Sequence, residues 1–127
     1  MVAEATVRVA RLWLGGDGIV RIIHNPHAEV TLKDAEETMA AYLGIRQGKR
    51  RPLLVDTRTM KVLDRGARVF YAGEMAASVA TAVAIVVGTP VSRVLGNFYL
   101  GLSNPRLPSR LFVSDEEALA WLNGYLE

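Results

Sequence analysis

Apolar residues recur along the chain with two spacings, near every second residue and near every 3.6 residues, which predicts strands and helices in turn. Residues 6–14 and 19–24 are rich in apolar and β-branched side chains, and they flank the glycine-rich stretch Gly15-Gly16-Asp17-Gly18. Two such runs around a Gly/Asp turn predict an antiparallel hairpin. Asn25-Pro26 should end the second strand, because proline cannot donate a hydrogen bond to a sheet.

The first two helical segments each begin with a residue that can cap a helix. Residues 31–45 begin with Thr31 and carry Asp34 three positions later, which is a capping-box pattern. Asp64 should cap a second helix that reaches about residue 79. This segment is rich in glycine and alanine, which predicts a close approach of the helix to the sheet.

The third helical segment has the strongest periodicity in the chain, with Thr89 as its cap and Pro90 at its first position. Its apolar residues follow the spacing i, i+3, i+4, i+7 and i+11, and they are Val91, Val94, Leu95, Phe98 and Leu102. Neighbouring apolar residues widen this stripe, so the helix should be either deeply buried or partly covered by a partner. Ser114 and Glu117 form a second capping-box pattern before a last helix.

Three short apolar runs separate these helices, at residues 53–55, 81–87 and 110–113. The run at 81–87 shows no alternation, which predicts a parallel strand buried on both faces. The order is then β-β-α-β-α-β-α-β-α, which predicts an α/β mixed sheet with covering helices and right-handed crossovers. We expect one domain over residues 1–127, since no linker or repeat interrupts the pattern.

Composition and charge exclude several classes of function. The chain has 127 residues, of which 50% are hydrophobic, and its 15 basic and 13 acidic residues leave a formal charge of +2. The one dense basic run is Lys49-Arg50-Arg51, so we expect no nucleic-acid partner. Without cysteine there is no disulfide or thiolate metal site. The longest apolar run, residues 82–87, is too short to span a membrane, and we expect a cytoplasmic protein.

A first candidate site follows the strand at 53–55, because ligands of open parallel sheets bind beyond the carboxyl ends of the strands. Its charged residues are Asp56, Arg58, Asp64, Arg65 and Arg68. They could bind an anionic group or a charged protein surface, or they could form an internal network that fixes the loop. A small hydrolase or transferase with Asp56 as base is a further alternative, although no acid partner for it is evident.

A second candidate site lies at the start of the third helix, where Thr89, Ser92 and Arg93 follow Gly88. Free amides and the helix dipole favour anions there, and helix capping alone is the alternative explanation. Asn97 on the same helix should be a buried amide that bonds a loop, or a ligand contact.

Catalytic and cofactor motifs are missing from the sequence. His24 and His27 are separated by a proline after a strand end, so we expect no metal site. The chain has no Walker, GxGxxG or GxSxG pattern. We therefore expect no cofactor and no enzymatic activity.

The element order, together with the strand at 53–55 and the helix start at Asp64, resembles the STAS, or SpoIIAA-like, fold of anti-sigma-factor antagonists. In that family an aspartate-serine-serine-glycine segment carries the phosphorylated serine. Here Arg65 and Gly66 occupy the two serine positions, so we expect no phosphorylation switch between Asp64 and Arg68. Residues 53–68, 84–101 and 110–122 resemble more closely a group of uncharacterised bacterial proteins described as STAS-like or CRAL-TRIO-like.

This resemblance implies a SpoIIAA-like (STAS-like) fold, and the group has no established activity to transfer. We expect a non-enzymatic regulatory or binding module that acts through protein–protein association, with a homodimer formed through the third helix or the edge hairpin. The alternative is a domain that binds a small lipid-like or anionic ligand between helices and sheet. An apolar cavity bordered by Arg58, Arg65 or Arg93 would favour that alternative.

Overall fold

A computed structural model of the chain describes residues 3–102 and 105–127. The strands are β1 Glu4–Thr6, β2 Ala10–Leu14, β3 Val20–His24, β4 Glu29–Val30, β5 Arg51–Asp56, β6 Val62–Leu63, β7 Ala80–Val86 and β8 Ser109–Phe112. The helices are α1 Leu32–Ile45, α2 Arg65–Ala72, α3 Glu74–Val79, α4 Pro90–Leu102 and α5 Asp115–Asn123. Six strands form one sheet in the order β1-β2-β3-β5-β7-β8, and β4 pairs with β6 separately.

The sheet is mixed, as the sequence predicts. β1, β2 and β3 are antiparallel, and β3, β5, β7 and β8 are parallel. The glycine-rich turn joins β2 to β3, with the Gly18 amide donating to the Gly15 carbonyl at 3.0 Å. The segment predicted as one first strand is divided into β1 and β2, because a turn closes where the Val7 amide donates to the Ala10 carbonyl at 2.9 Å. That turn interrupts the predicted strand at residues 7–9.

Strand alternation divides the interior into two cores, one on each face of the sheet. On the first face, Ile22, Leu53 and Val83 pack beneath α1, α2, α3 and α4. On the second face, Leu54 and Ala84 pack beneath α5. All seven residues of β7 are buried, and the strand lies between two parallel neighbours, as its uniformly apolar sequence predicts.

The helix predicted from residue 64 to 79 is interrupted at Gly73, which ends α2 and begins α3. The close approach expected from its small residues occurs at Gly66, and it is to α1. A β-carbon on Gly66 would lie 3.0 Å from the β-carbon of Leu32. Glycine at this position therefore brings two helices together above the sheet.

Helix α4 packs on a different face from the one that its valines predict. Ser92, Gly96 and Tyr99 face inward, whereas Val91 and Val94 are 50% and 51% exposed. A β-carbon on Gly96 would lie only 2.8 Å from Leu111 Cδ2, so the face of α4 that carries Gly96 approaches β8 closely. The small residues of α4 therefore face the sheet, because they allow the backbones to approach closely, and the larger valines face outward. The side chains of Phe98 and Leu102, which belong to the predicted stripe, lie outside the described part of the chain.

Candidate functional site

A cavity of about 90 Å³ lies in the first core, between the sheet and the helices that cover it. Its sheet side is formed by Ile22, Leu53 and Val83, and its helix side includes Met39, Tyr42 and Tyr99. Protein interiors usually contain few voids larger than a water molecule. The space is partly open to solvent, and at this size in the larger core it is a candidate binding site.

Small residues from three elements contribute to the lining of this space. Ala76 on α3, Ala80 on β7 and Gly96 on α4 all line the cavity. Met39 and Met60 also line it, and their unbranched side chains can adjust to an occupant. The lining is therefore assembled from distant parts of the chain.

His24 is the buried basic group on the cavity lining. Its Nδ1 lies 3.1 Å from the carbonyl oxygen of Asp56. Its Nε2 is buried and has no hydrogen-bond partner among residues 3–102 and 105–127. Burial lowers the pKa of His24 below its ordinary value of 6.5, against a smaller opposing effect of the Asp56 contact. The imidazole is therefore neutral near pH 7.

Several hydroxyl groups on the lining donate to backbone carbonyls within the protein. Thr57 Oγ1 donates to Val86 at 3.0 Å, and Thr38 Oγ1 donates to Asp34 at 2.8 Å. The Tyr42 hydroxyl donates to Val79 at 2.7 Å. These bonds engage three hydroxyl groups of the lining. The surface of the cavity is mainly apolar.

The first predicted site is an ion-pair cluster beyond the end of β5. Arg58 Nη2 lies 2.9 Å from Asp56 Oδ2 and 2.9 Å from Asp115 Oδ1. The Asp56 hydrogen bonds raise the pKa of Arg58, with a smaller contribution from Asp115. The Arg58 side chain also packs on Gly88, where a β-carbon would lie 3.0 Å from Arg58 Cγ. Two carboxylates thus share the guanidinium, which favours the internal-network interpretation.

The remaining residues of that predicted site belong to the start of α2. Asp64 Oδ1 accepts from the Ala67 amide at 2.8 Å, as the predicted cap requires. Arg68 Nη1 donates to the Leu63 carbonyl at 2.7 Å, and Arg65 is exposed. No hydrogen bond within the described ranges joins this group to the Asp56 and Arg58 pair. The structure therefore separates the first predicted site into two local networks.

The second predicted site is a closed capping network at the start of α4. Ser92 is fully buried, and its Oγ accepts from the Gly88 and Thr89 amides, each at 3.0 Å. Thr89 Oγ1 accepts in return from the Ser92 amide at 3.0 Å. Arg93 is exposed beside this network. The amides that would hold an anion are engaged by Ser92, which favours the capping interpretation.

Asn97 is exposed, whereas the sequence predicts a buried amide or a ligand contact at this position. The reason is the rotation of α4 toward β8, which turns Ser92, Gly96 and Tyr99 inward. Asn97 therefore lies on the opposite side from the residues that pack on the sheet.

A polar contact that local spacing does not predict joins Arg8 to Asp34. Arg8 Nε donates to Asp34 Oδ1 at 2.8 Å, and the Asp34 carboxylate is almost fully buried. The Arg8 guanidinium holds the pKa of Asp34 well below its usual range. The same carboxylate completes the predicted capping box with Thr31. Asp34 is therefore both a helix cap and a buried ion-pair partner.

A metal-binding cluster and a membrane-spanning helix are both absent from residues 3–102 and 105–127. Within these ranges, no cluster of three histidine, aspartate or glutamate side chains is arranged to hold a metal ion. In the same ranges, every helix is too short or too polar to cross a membrane.

The architecture resembles that of an uncharacterised DUF3478-family protein from Shewanella loihica PV-4, whose fold is SpoIIAA-like. The TM-score is 0.51 at 14% identity, over 96% of this chain and 92% of that one. This likeness confirms the predicted fold. A protein of unknown function from Arthrobacter sp. FB24 is 40% identical, over 87% of this chain and 96% of that one, with a TM-score of 0.31.

No curated protein matches the chain in sequence. A family model described as a domain of unknown function, DUF7793, matches residues 12–126 and so covers most of the chain. The SpoIIAA-like domain described above therefore belongs to the DUF7793 family.

Proposed function

We propose that this domain binds a small, uncharged, mainly apolar molecule in the cavity between the sheet and the helices of its first face. The cavity of about 90 Å³ is the observation that carries the proposal. Sites for small molecules are usually concave and apolar, with a few polar groups that orient the ligand. The cavity has this composition, with His24 among its polar groups.

The charge of the lining argues against an anionic ligand. The described lining includes none of Arg58, Arg65 and Arg93, the arginines expected to border a cavity for a lipid-like or anionic ligand, and so it offers no cation to pair with an anion. Burial of an unpaired ionised group costs several kcal/mol or more. The ligand expected here is therefore neutral.

The proposed activity is binding without catalysis. Asp56, the candidate base, is held by Arg58 through hydrogen bonds of 2.9 to 3.2 Å. His24 lines the cavity and could act as a base, but the described lining includes no carboxylate to pair with it. General acid–base catalysis needs such groups within hydrogen-bond reach of a reacting atom.

Toluene is a suitable probe of the cavity, and its binding can be followed by protein NMR. We expect toluene to shift the signals of cavity residues such as Met39 and Met60 in the unmodified protein. Ala76→Leu should abolish these shifts, because the larger side chain fills space that the cavity provides. Ala40→Leu on the exposed face of α1 is the matched control and should leave them unchanged. Absence of shifts in the unmodified protein would contradict the proposal.

A second candidate function is protein–protein association, as expected for a non-enzymatic, cytoplasmic bacterial regulator of the STAS-like type. The exposed valines of α4, Val91 and Val94, are the observation that favours it. We propose a homodimer through this face.

Light scattering at high micromolar concentration should give a dimer mass, and the double substitution Val91→Ser and Val94→Ser should give a monomer. Val69→Ser, at an exposed valine of α2, is the control and should keep the dimer. A monomer mass for the unmodified protein would exclude the homodimer.

A further inference from the structure

His24 lines the cavity and has an unused hydrogen-bonding atom. Strand alternation places it on the same face of β3 as Ile22, and both residues line the cavity. The ring is oriented by its Nδ1 contact to the Asp56 carbonyl. The other ring nitrogen, Nε2, is buried and has no partner among the described residues. Buried polar atoms without a partner are rare in folded proteins, which points to a ligand or water.

The Nδ1 contact fixes which nitrogen carries the proton. A carbonyl oxygen only accepts hydrogen bonds, so Nδ1 must donate at 3.1 Å. In a neutral imidazole the second nitrogen then has a free lone pair and can only accept. Nε2 of His24 is therefore an acceptor, and its missing partner is a donor.

We propose that the ligand of this cavity is a small alcohol or phenol whose hydroxyl donates a hydrogen bond to His24 Nε2. This inference rests on the proposed function, and it adds the chemical class of the ligand. The apolar lining holds the hydrocarbon part, and the unpaired Nε2 of His24 selects molecules that carry a donor. Discrimination against analogues without the hydroxyl follows because they leave Nε2 buried and unpaired.

Other ligand classes fit this arrangement less well. A carboxylate would place negative charge against a lone pair, and the described lining has no cation to compensate. A metal ion would need further ligands, and the described residues offer no cluster of three. A neutral hydroxyl donor satisfies His24 without introducing a buried charge.

The first experiment compares phenol with toluene, which have nearly the same shape and differ in the donor. Titrations followed by NMR should show that the unmodified protein binds phenol at least about fivefold more tightly than toluene, as the cost of an unpaired buried acceptor requires. His24→Phe should remove this preference, and His27→Phe, at the exposed histidine, should keep it. Equal affinities in the unmodified protein would overturn the inference while leaving the proposed function intact. If neither compound binds, the proposed function itself fails.

The second experiment needs no substitution and so does not depend on the folding of a variant. The imidazole ¹⁵N signals of both histidines are recorded with and without phenol. Phenol should move the His24 Nε2 signal upfield, because an accepted hydrogen bond reduces its lone-pair character, and the His27 signals serve as the internal reference. Toluene should not cause this movement. A phenol that binds without moving the His24 Nε2 signal would show that its hydroxyl points elsewhere.

Discussion

The carboxylate of Asp34 connects two parts of the chain that lie 26 residues apart. It accepts from the Thr31 amide at 3.0 Å at the start of α1, and it also receives two hydrogen bonds from Arg8. Arg8 lies in the turn between β1 and β2, so this contact ties the hairpin to the first helix. The capping pattern is visible in the sequence, whereas the partner Arg8 is not, because nothing local links the two residues.

Asp34→Asn should lower the free energy of unfolding by about 2 kcal/mol at pH 7, since it removes a charged pair and weakens a helix cap. The pKa of Asp34 is lower in the folded protein than its ordinary 3.8, so its stabilisation is complete above that value and is lost as the pH falls below it. Urea unfolding measures both effects. Glu36→Gln, on the exposed face of α1, is the control and should change stability little. An Asp34→Asn protein as stable as the control would contradict this role.

His24 gives folding a second dependence on pH. Burial lowers its pKa below 6.5 in the folded protein, so the unfolded chain takes up the proton first. The free energy of unfolding should therefore be highest above pH 6.5 and should fall below it, by at most about 1.4 kcal/mol per pH unit. Unfolding curves at pH 7.5 and 5.5 test this expectation. His24→Phe should reduce the difference in the free energy of unfolding between the two pH values, and His27→Phe should keep it. The same difference in His24→Phe as in the unmodified protein would assign the pH dependence to other groups.

At the scale of single elements, the sequence predicts where helices begin and where turns lie better than it predicts which face of a helix is buried. Thr31, Asp64, Thr89 and Ser114 cap the helices where their patterns place them, because a cap depends on neighbours within three residues. The buried face of α4 was not predictable in this way. It depends on Leu111 in β8, which Gly96 allows to approach, and spacing within α4 carries no information about that contact.

The hairpin between β2 and β3 depends on the backbone conformation of one glycine. Gly18 has φ of +85°, and side chains disfavour this region by roughly 1–2 kcal/mol. Gly18→Ala should lower the free energy of unfolding by about that amount in thermal or urea unfolding. Gly16→Ala in the same turn is the control, because no atom of the described residues would lie within 4 Å of its β-carbon. Equal effects of the two substitutions would show that the turn does not require Gly18.

At the scale of the whole molecule, the mixed sheet and the alternation of its parallel strands with helices follow from the sequence pattern, whereas the short strands β1, β4 and β6 and the cavity do not. The order depends on period and on turn residues, which are local properties. The cavity is lined by residues of separate elements, such as Tyr42, Ala76 and Ala80. Their alignment is known only after the fold is formed, so the pattern of apolar residues gives no sign of it.

The two faces of the sheet should respond differently to added volume. Ala82→Val on the second face should lower the free energy of unfolding by about 1–3 kcal/mol, because Ala82 is fully buried beneath α5. Ala76→Leu on the first face should cost less, since the cavity accepts the larger side chain. Urea unfolding of both variants makes the comparison. A greater loss in Ala76→Leu would show that the first core has no such space.

The position of α5 has a consequence for how the domain forms during synthesis. On the second face, Ala118 and Leu122 of this helix pack on Leu54, Ala82 and Ala84, which come from strands made much earlier. Until residues 115–123 leave the ribosome, that side of the nascent sheet stays in contact with water. Acquisition of the folded state must therefore wait for α5, which is translated after every strand of the sheet.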